Sequence, residues 1–347
     1  MLTPVIDHIL LVGFGGPTAP DEVEPFVRGI VASRSGPPPG VRTQSGGGEG
    51  DTRRRGQEAR IQQVIGQYMA VGGVSPFNDW TMRQARALED TLRAQGCDIP
   101  VSIGMRHWSP RIHDVLKEIA KTGKQHILCV ALTAHLSGES RDKYVEAVDA
   151  GLASLGTQAP HVTWSAAQWY MSEGYLTALA DHIQQAAGSD TTLKNSRLIC
   201  TAHSIPQVAN GCRSKSCVGG ECCRQSDAPF YCRSIYETAD ALARQLNQTD
   251  YAVAFQSASG GPIPWIGPDV NTVIEQAAAD GNDSVVVCPV GFICDHVEVL
   301  YDLDQQAAET ARNAGLKFIR AETVGVHPQF ITMLAHMIKD TIHDTES

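Results

Sequence analysis

Short runs of apolar, mostly β-branched residues recur along the chain, and between them lie longer stretches in which apolar positions return every three to four residues. The short runs read as strands buried on both faces. In the first half they are His8–Val12, Val101–Met105, His126–Leu132 and Val162–Ala166; in the second, Arg197–Thr201, Tyr251–Phe255, Ser284–Pro289 and Lys317–Arg320. The periodic stretches predict helices over Asn78–Ala94, Arg111–Thr122, Arg141–Ala153, Glu173–Ala187, Ile235–Leu246 and Val270–Ala279. Such alternation predicts an α/β protein whose parallel sheets are covered by helices. With four strands in each half, we expect two Rossmann-like lobes, residues 1–171 and 172–347. A small echo supports the division: Thr133-Ala-His135 and Thr201-Ala-His203 each follow a strand. Ligands of such sheets bind beyond the carboxyl ends of the strands, where both histidines are expected. The last periodic stretch, Phe330–Ile342, predicts a C-terminal helix packed on the second lobe.

One segment has no pattern. Residues 35–57 hold prolines, a glycine triplet and Arg53-Arg-Arg55, and predict a flexible loop with solvated charges. The chain has 347 residues, 42% of them hydrophobic, which is enough for full cores in both lobes. Its net charge of −10 argues against nucleic acid or an anionic membrane surface as principal partner. No apolar run has the length of a membrane span, and the chain enters a strand almost at once without a basic leader. These features predict a cytoplasmic protein, at most peripheral to a membrane.

Polar chemistry gathers at the predicted strand ends. After the strand ending at Pro289, Asp295 stands where a helix N-cap would stand, with Glu298 at capping-box spacing. Glu298, Asp302 and then Gln305 or Gln306 follow on one helical stripe. His203 lies just past another strand, and Pro206 is expected to keep its surroundings an open loop. An imidazole there can take a proton near neutral pH or ligate a divalent metal. Gly13-Phe-Gly-Gly-Pro17 follows the first strand without dinucleotide-binding spacing, and Asp21 is expected to cap the next helix. Gly104-Met-Arg-His-Trp108 ends the second strand, and Arg106 with Trp108 suits a flat, anionic, aromatic ligand. Gln256-Ser257 and Trp265 add polar groups and an aromatic wall.

The cysteines divide into two sets. Cys97, Cys129, Cys200, Cys288 and Cys294 are spread out, mostly in or beside apolar strands, and read as buried thiols. Cys212, Cys217, Cys222, Cys223 and Cys232 crowd into the polar stretch 207–233. Thiols this dense in a reducing compartment read as a metal site before disulfides, with zinc the generic occupant.

Taken in order, these pieces resemble the ferrochelatase family, whose members insert ferrous iron into a porphyrin in haem synthesis. The matching segments are Leu10–Pro17, Gly72–Pro76, Gly104–Trp108, Thr201–Pro206, Phe255–Ser257, Pro264–Asp269 and Pro289–Asp302, which span nearly the whole chain. The resemblance implies a porphyrin cleft between two Rossmann-like lobes. It implies His203 and Glu298 as the catalytic pair and the ligands of Fe²⁺, with the order of metal binding and deprotonation left open. Asp302 is implied as an outward proton carrier. Phe14, Arg28, Tyr68, Ser75, Met105, Arg106, Tyr144 and Trp265 are implied around the porphyrin. Some members carry Tyr where Phe14 stands, and protoporphyrin IX and coproporphyrin III both remain candidate substrates. Since some ferrochelatases hold a [2Fe–2S] cluster on four cysteines, the resemblance implies one on Cys212, Cys217, Cys222 and Cys232, with Cys223 able to replace Cys222. A chelatase for another metal such as cobalt, or a haem-binding or iron-sensing protein, are the alternatives.

Overall fold

The computed structural model describes residues 5–34, 49–166, 168–212, 221–225, 229–259 and 263–346, without the side chains of residues 34, 49–54, 221, 222 and 346. The first half runs β1 (His8–Gly13), α1 (Val23–Arg34), α2 (Glu49–Ala70), α3 (Phe77–Ala94), β2 (Val101–Met105), α4 (Ile112–Lys121), β3 (His126–Ala131), α5 (Lys143–Leu155) and β4 (His161–Trp164). It continues through α6 (Glu173–Ala187), α7 (Asp190–Lys194), β5 (Ser196–His203), α8 (Gln207–Asn210), α9 (Phe230–Gln245), β6 (Tyr251–Gln256), α10 (Val270–Ala279) and β7 (Ser284–Cys288). The last elements are α11 (Val297–Tyr301), a π-helical turn over Asp302–Ala307, α12 (Ala308–Asn313), β8 (Lys317–Arg320) and α13 (Pro328–Glu346).

The strands form two four-stranded parallel sheets, ordered β2-β1-β3-β4 and β6-β5-β7-β8. These are the two expected lobes, and alternate residues of each strand enter different cores. Leu10 and Val12 face a core with Ile112, Leu116 and Val148, while Ile9 and Leu11 face the opposite way. Ile199, Val285 and Val287 pack under α10, while Leu198, Cys200, Val286 and Cys288 turn to the other side. Ile9, Leu11, Leu198 and Val286 share one apolar cluster with side chains from α3, α6, α9 and α13. The lobes are therefore joined by a continuous interior.

Polar pins cross the same junction. His135 is buried, with Nδ1 3.0 Å from Ser234 Oγ and Nε2 3.1 Å from the Val290 carbonyl. Burial pushes its pKa down to about 4, so it is a neutral structural bridge. The histidine echo thus identified a strand end correctly, but His135 is spent on packing. Gln84 Nε2 donates across the junction to the carbonyls of Ile293 (3.1 Å) and Gly325 (2.9 Å), while within the second lobe Tyr175 donates to the same Val290 carbonyl (2.5 Å).

Three expectations change. Residues 49–57 are the first turns of α2, so the patternless segment is shorter than predicted; residues 35–48 and the side chains of Arg53 and Arg54 lie outside the described residues. Helix α13 packs on α3 of the first lobe as well as on α6, approaching α6 so closely that a Cβ on Gly174 would stand 2.6 Å from Met333 Cβ. Pro206 does not keep an open loop: it is the N-cap of α8, where a missing N–H costs nothing, and Ser204 and Ile205 are buried.

Candidate active site

A sheet ordered like β6-β5-β7-β8 changes winding direction between β5 and β7, and the crevice beyond those two strands is the natural ligand site. His203 is the last residue of β5, and Glu298 lies in the first turn of α11, which follows β7. Ninety-five positions apart in sequence, they meet: His203 Nε2 is 3.3 Å from Glu298 Oε1. Their side chains keep 29% and 42% of their exposure, so the pair is open to a ligand.

His203 Nδ1 donates to the Ser204 carbonyl, which leaves the Nε2 lone pair aimed at the carboxylate. Two electron-rich atoms face each other unless a cation stands between them. Burial lowers the His203 pKa, but Glu298 and the Ser204 carbonyl outweigh it and hold the imidazole above its ordinary value. A proton or a metal ion can occupy that position. With bonds of about 2.1 Å to each atom, a divalent first-row ion would take the pair as neighbouring ligands at an angle of roughly 100°.

The surroundings fix Glu298. Gln256 Nε2 donates to its carbonyl oxygen (2.7 Å), and its backbone N–H donates to Nδ1 of His296 (3.2 Å). His296, not Asp295, is therefore the N-cap of α11. Burial holds its pKa down against the pull of Glu298, so it stays a neutral acceptor. Asp295, the expected cap, is held instead by Arg320 and Thr323.

Asp302 lies one turn beyond Glu298 and is only 7% exposed. Ser257, held at a φ of 63° that a non-glycine residue rarely adopts, donates its hydroxyl to Asp302 Oδ2. Burial, with a smaller push from Glu298, raises the Asp302 carboxyl to about 7. The acidic stripe ends there, because Gln305 reaches across to the Ala70 carbonyl (2.9 Å).

Opposite α11 stands an aromatic wall from the first lobe. Phe14, Phe26, Tyr68 and Trp108 cluster with Val297 and Tyr301 of the second lobe. The Phe14 ring lies 4.5 Å from His107, and Phe26 stacks edge-on against Trp108 at 5.6 Å. Burial pushes the Tyr68 hydroxyl far up, and the nearby Glu298 charge adds to that. On the other side Trp265 stands 6.4 Å from His203.

The remaining expected porphyrin contacts are placed differently. Met105 is fully buried beneath the glycine turn, where a Cβ on Gly15 would come within 2.9 Å of its own Cβ. Ser75 is buried against Gly16, and Tyr144 lies in the first lobe's core with the Arg106 charge nearby. Arg28 is already engaged, with two nitrogens on Glu58 (2.8 and 2.9 Å) and Nε on Glu24 (2.8 Å). Sequence reasoning did not single out His107, His296 or Arg320. Only their places beside Trp108, Glu298 and the end of β8 hinted at them.

In the cysteine stretch, Asn210 Nδ2 donates to Sγ of both Cys212 (3.0 Å) and Cys232 (3.1 Å), so two thiols converge on one amide. Cys232 belongs to α9, which starts earlier than predicted, and Cys223 is buried in a short turn over Glu221–Arg224. Cys217 and the Cys222 side chain lie outside the described residues. Among the described residues no three His, Cys, Asp or Glu side chains are grouped to hold a metal.

Two Rossmann-like sheets, with an open imidazole–carboxylate pair at the switch point of one, form a fold that solved chelatases share. Solved structures share the fold: SirB from Bacillus subtilis with Fe³⁺ matches at a TM-score of 0.53 and 14% identity, over 76% of this chain and 90% of that one. The sirohydrochlorin chelatase SirB from Bacillus subtilis subspecies spizizenii, in complex with cobalt, matches at 0.51 and 12%, over 98% and 95%. The ferrochelatase family model matches residues 7–342, and the chain belongs to the ferrochelatase family. Among its relatives, the coproporphyrin III ferrochelatase of Nocardia farcinica is 31% identical over 96% of this chain and 88% of its own length. That of Mycolicibacterium smegmatis is 31% identical over 97% and 90%, and the ferrochelatase of Rhodopirellula baltica 29% over 98% and 87%.

Proposed function

We propose that this chain inserts Fe²⁺ into a porphyrin at the His203–Glu298 pair, with Asp302 carrying protons away. The single observation behind this is the 3.3 Å approach of His203 Nε2 to Glu298 Oε1 in a site open to solvent. Insertion exchanges two pyrrole N–H protons for one metal ion. Imidazole and carboxylate together suit ferrous iron as it sheds water, and the same two groups accept protons. Phe14, Tyr68, Trp108 and Trp265 are assigned to the walls against which the macrocycle is held and bent. Asp302, with a pKa of about 7, releases as readily as it accepts at neutral pH.

Relatives named coproporphyrin III ferrochelatase support that porphyrin as the substrate. Phe14 in the glycine turn, where some members carry Tyr, favours protoporphyrin IX as the second reading. We assign a [2Fe–2S] cluster to Cys212, Cys217, Cys232 and Cys222 or Cys223, with zinc as the alternative. The amide shared by Cys212 and Cys232 supports thiolates gathered at that place. Chelation itself moves no electrons, so structural bracing and redox or iron sensing are both open as the purpose of the cluster. Among the described residues no helix is long and apolar enough to cross a membrane.

The test is an anaerobic assay with purified protein, Fe²⁺ and either porphyrin, following the absorption band of the product. His203→Ala and Glu298→Gln are each expected to lower turnover by about 10²-fold or more while porphyrin binding persists. Full turnover in both variants would remove the assignment, and comparing porphyrins with two and four propionates selects the substrate.

A further inference from the structure

The segment from Asp295 to Asp304 carries His296, Glu298 and Asp302, yet α11 is only five residues long and a π-helical turn follows it. The stretch runs on without a break into α12, but the π-helical turn interrupts its regular bonding beside Glu298, so contacts from other elements bear on where these side chains stand. Among the groups that hold it is the guanidinium at the end of β8. Arg320 places Nη2 2.9 Å and Nη1 3.2 Å from the two carboxylate oxygens of Asp295, and Nε 2.5 Å from Asp304 Oδ1. Thr323 adds a bond to Asp295 Oδ1 (3.1 Å). The Arg320 side chain is 17% exposed and Asp295 16%, so the contact is largely shielded from solvent.

We propose that Arg320 is a positioning residue for metal insertion. By gripping Asp295 just before α11 and Asp304 just after its last turn, it sets where Glu298 and Asp302 stand relative to His203. The inference rests on the reading of His203 and Glu298 as the insertion site. The rigid fork of an arginine meets both oxygens of Asp295 while Nε reaches a second carboxylate. A lysine would present one point charge to the two acids and could not fix their spacing. Four groups steady the segment from outside it: Gln256 at the Glu298 carbonyl, Ser257 at Asp302, Thr323 at Asp295, and Arg320 behind. Arg320 is the one that spans it end to end.

The test uses Arg320→Lys and Asp304→Asn in the full chain, because Arg320→Met would leave two shielded carboxylates without a cation and risks misfolding. Thermal unfolding first sets a temperature at which every variant is folded. There, Arg320→Lys is expected to lower turnover by about 10-fold to 100-fold and to raise KM for Fe²⁺. Porphyrin affinity, read by quenching of porphyrin fluorescence, stays at the wild-type value. Asp304→Asn keeps the Asp295 grip and moves turnover in the same direction by less. If Arg320→Lys lowers only the unfolding midpoint and leaves turnover and KM for iron unchanged, Arg320 is a structural residue and the proposal is overturned. His203→Ala in the same assay separates the two ideas. Retained turnover there sinks the site, whereas loss there beside an unaffected Arg320→Lys sinks only the clamp.

Discussion

Replacing Asp302 by Asn should stabilise the protein in alkali while crippling it. In the folded chain the carboxyl titrates at about 7, against 3.8 for an ordinary aspartate. The folded state therefore binds this proton more tightly than the unfolded one. The favourable contribution is complete below 3.8 and is lost as pH rises through about 7. At about 1.4 kcal/mol per unit, the whole loss is on the order of 4 kcal/mol, and roughly 2–3 kcal/mol of it falls between about pH 5 and pH 9. Asparagine has the same shape, accepts the Ser257 hydroxyl and never ionises. The stability of Asp302→Asn relative to wild type should accordingly rise across that interval by about that amount. Its turnover should fall, since an amide cannot carry a proton outward. Urea unfolding of both proteins at several pH values, with the iron-insertion assay alongside, measures both effects. A stability difference that does not change between about pH 5 and pH 9 would refute the claim that burial keeps this carboxyl protonated.

Gly291→Ala tests the close packing that seats the stretch after β7 on β5. The added Cβ would stand 2.5 Å from Ala202 Cβ, and we expect a loss of about 3 kcal/mol, seen as a lower urea midpoint; an unchanged midpoint would mean the two segments separate easily. Cys232→Ala should abolish metal retention in anaerobically purified protein, and Asn210→Ala should weaken it by about 10-fold or more. Iron and zinc content with the visible spectrum decide this: a red-brown protein with undiminished iron in Cys232→Ala would remove Cys232 from the ligand set.

The sheets were legible because both faces of each strand are covered, so the runs at His8, His126 and Ser284 are apolar without a break. The candidate pair was legible because His203 ends one such run and Glu298 opens the first helix after another. What the sequence could not disclose depends on contacts between distant positions. Asp295 has the spacing of a cap, yet Arg320, twenty-five positions on, claims its carboxylate, and His296 caps in its stead. Arg28 looked available until Glu58 was brought beside it by the packing of α2 on α1. Tyr144 and Met105 have chemistry that suits a ligand, but the helix and strand that carry them turn inward. The helical start of α2 was hidden by the prolines and glycines that precede it.

The junction between the lobes has its own consequence for how a planar macrocycle can be strained. Leu198 and Val286 share an interior with Ile9 and Leu11, His135 and Gln84 bond across it, and α13 lies over helices from both sides. Swinging the halves apart would wet that interior and break those bonds together. The halves are therefore held at a fixed separation, and on the proposed reading a flat macrocycle taken between them would have to bend to the protein, since the protein does not open to it.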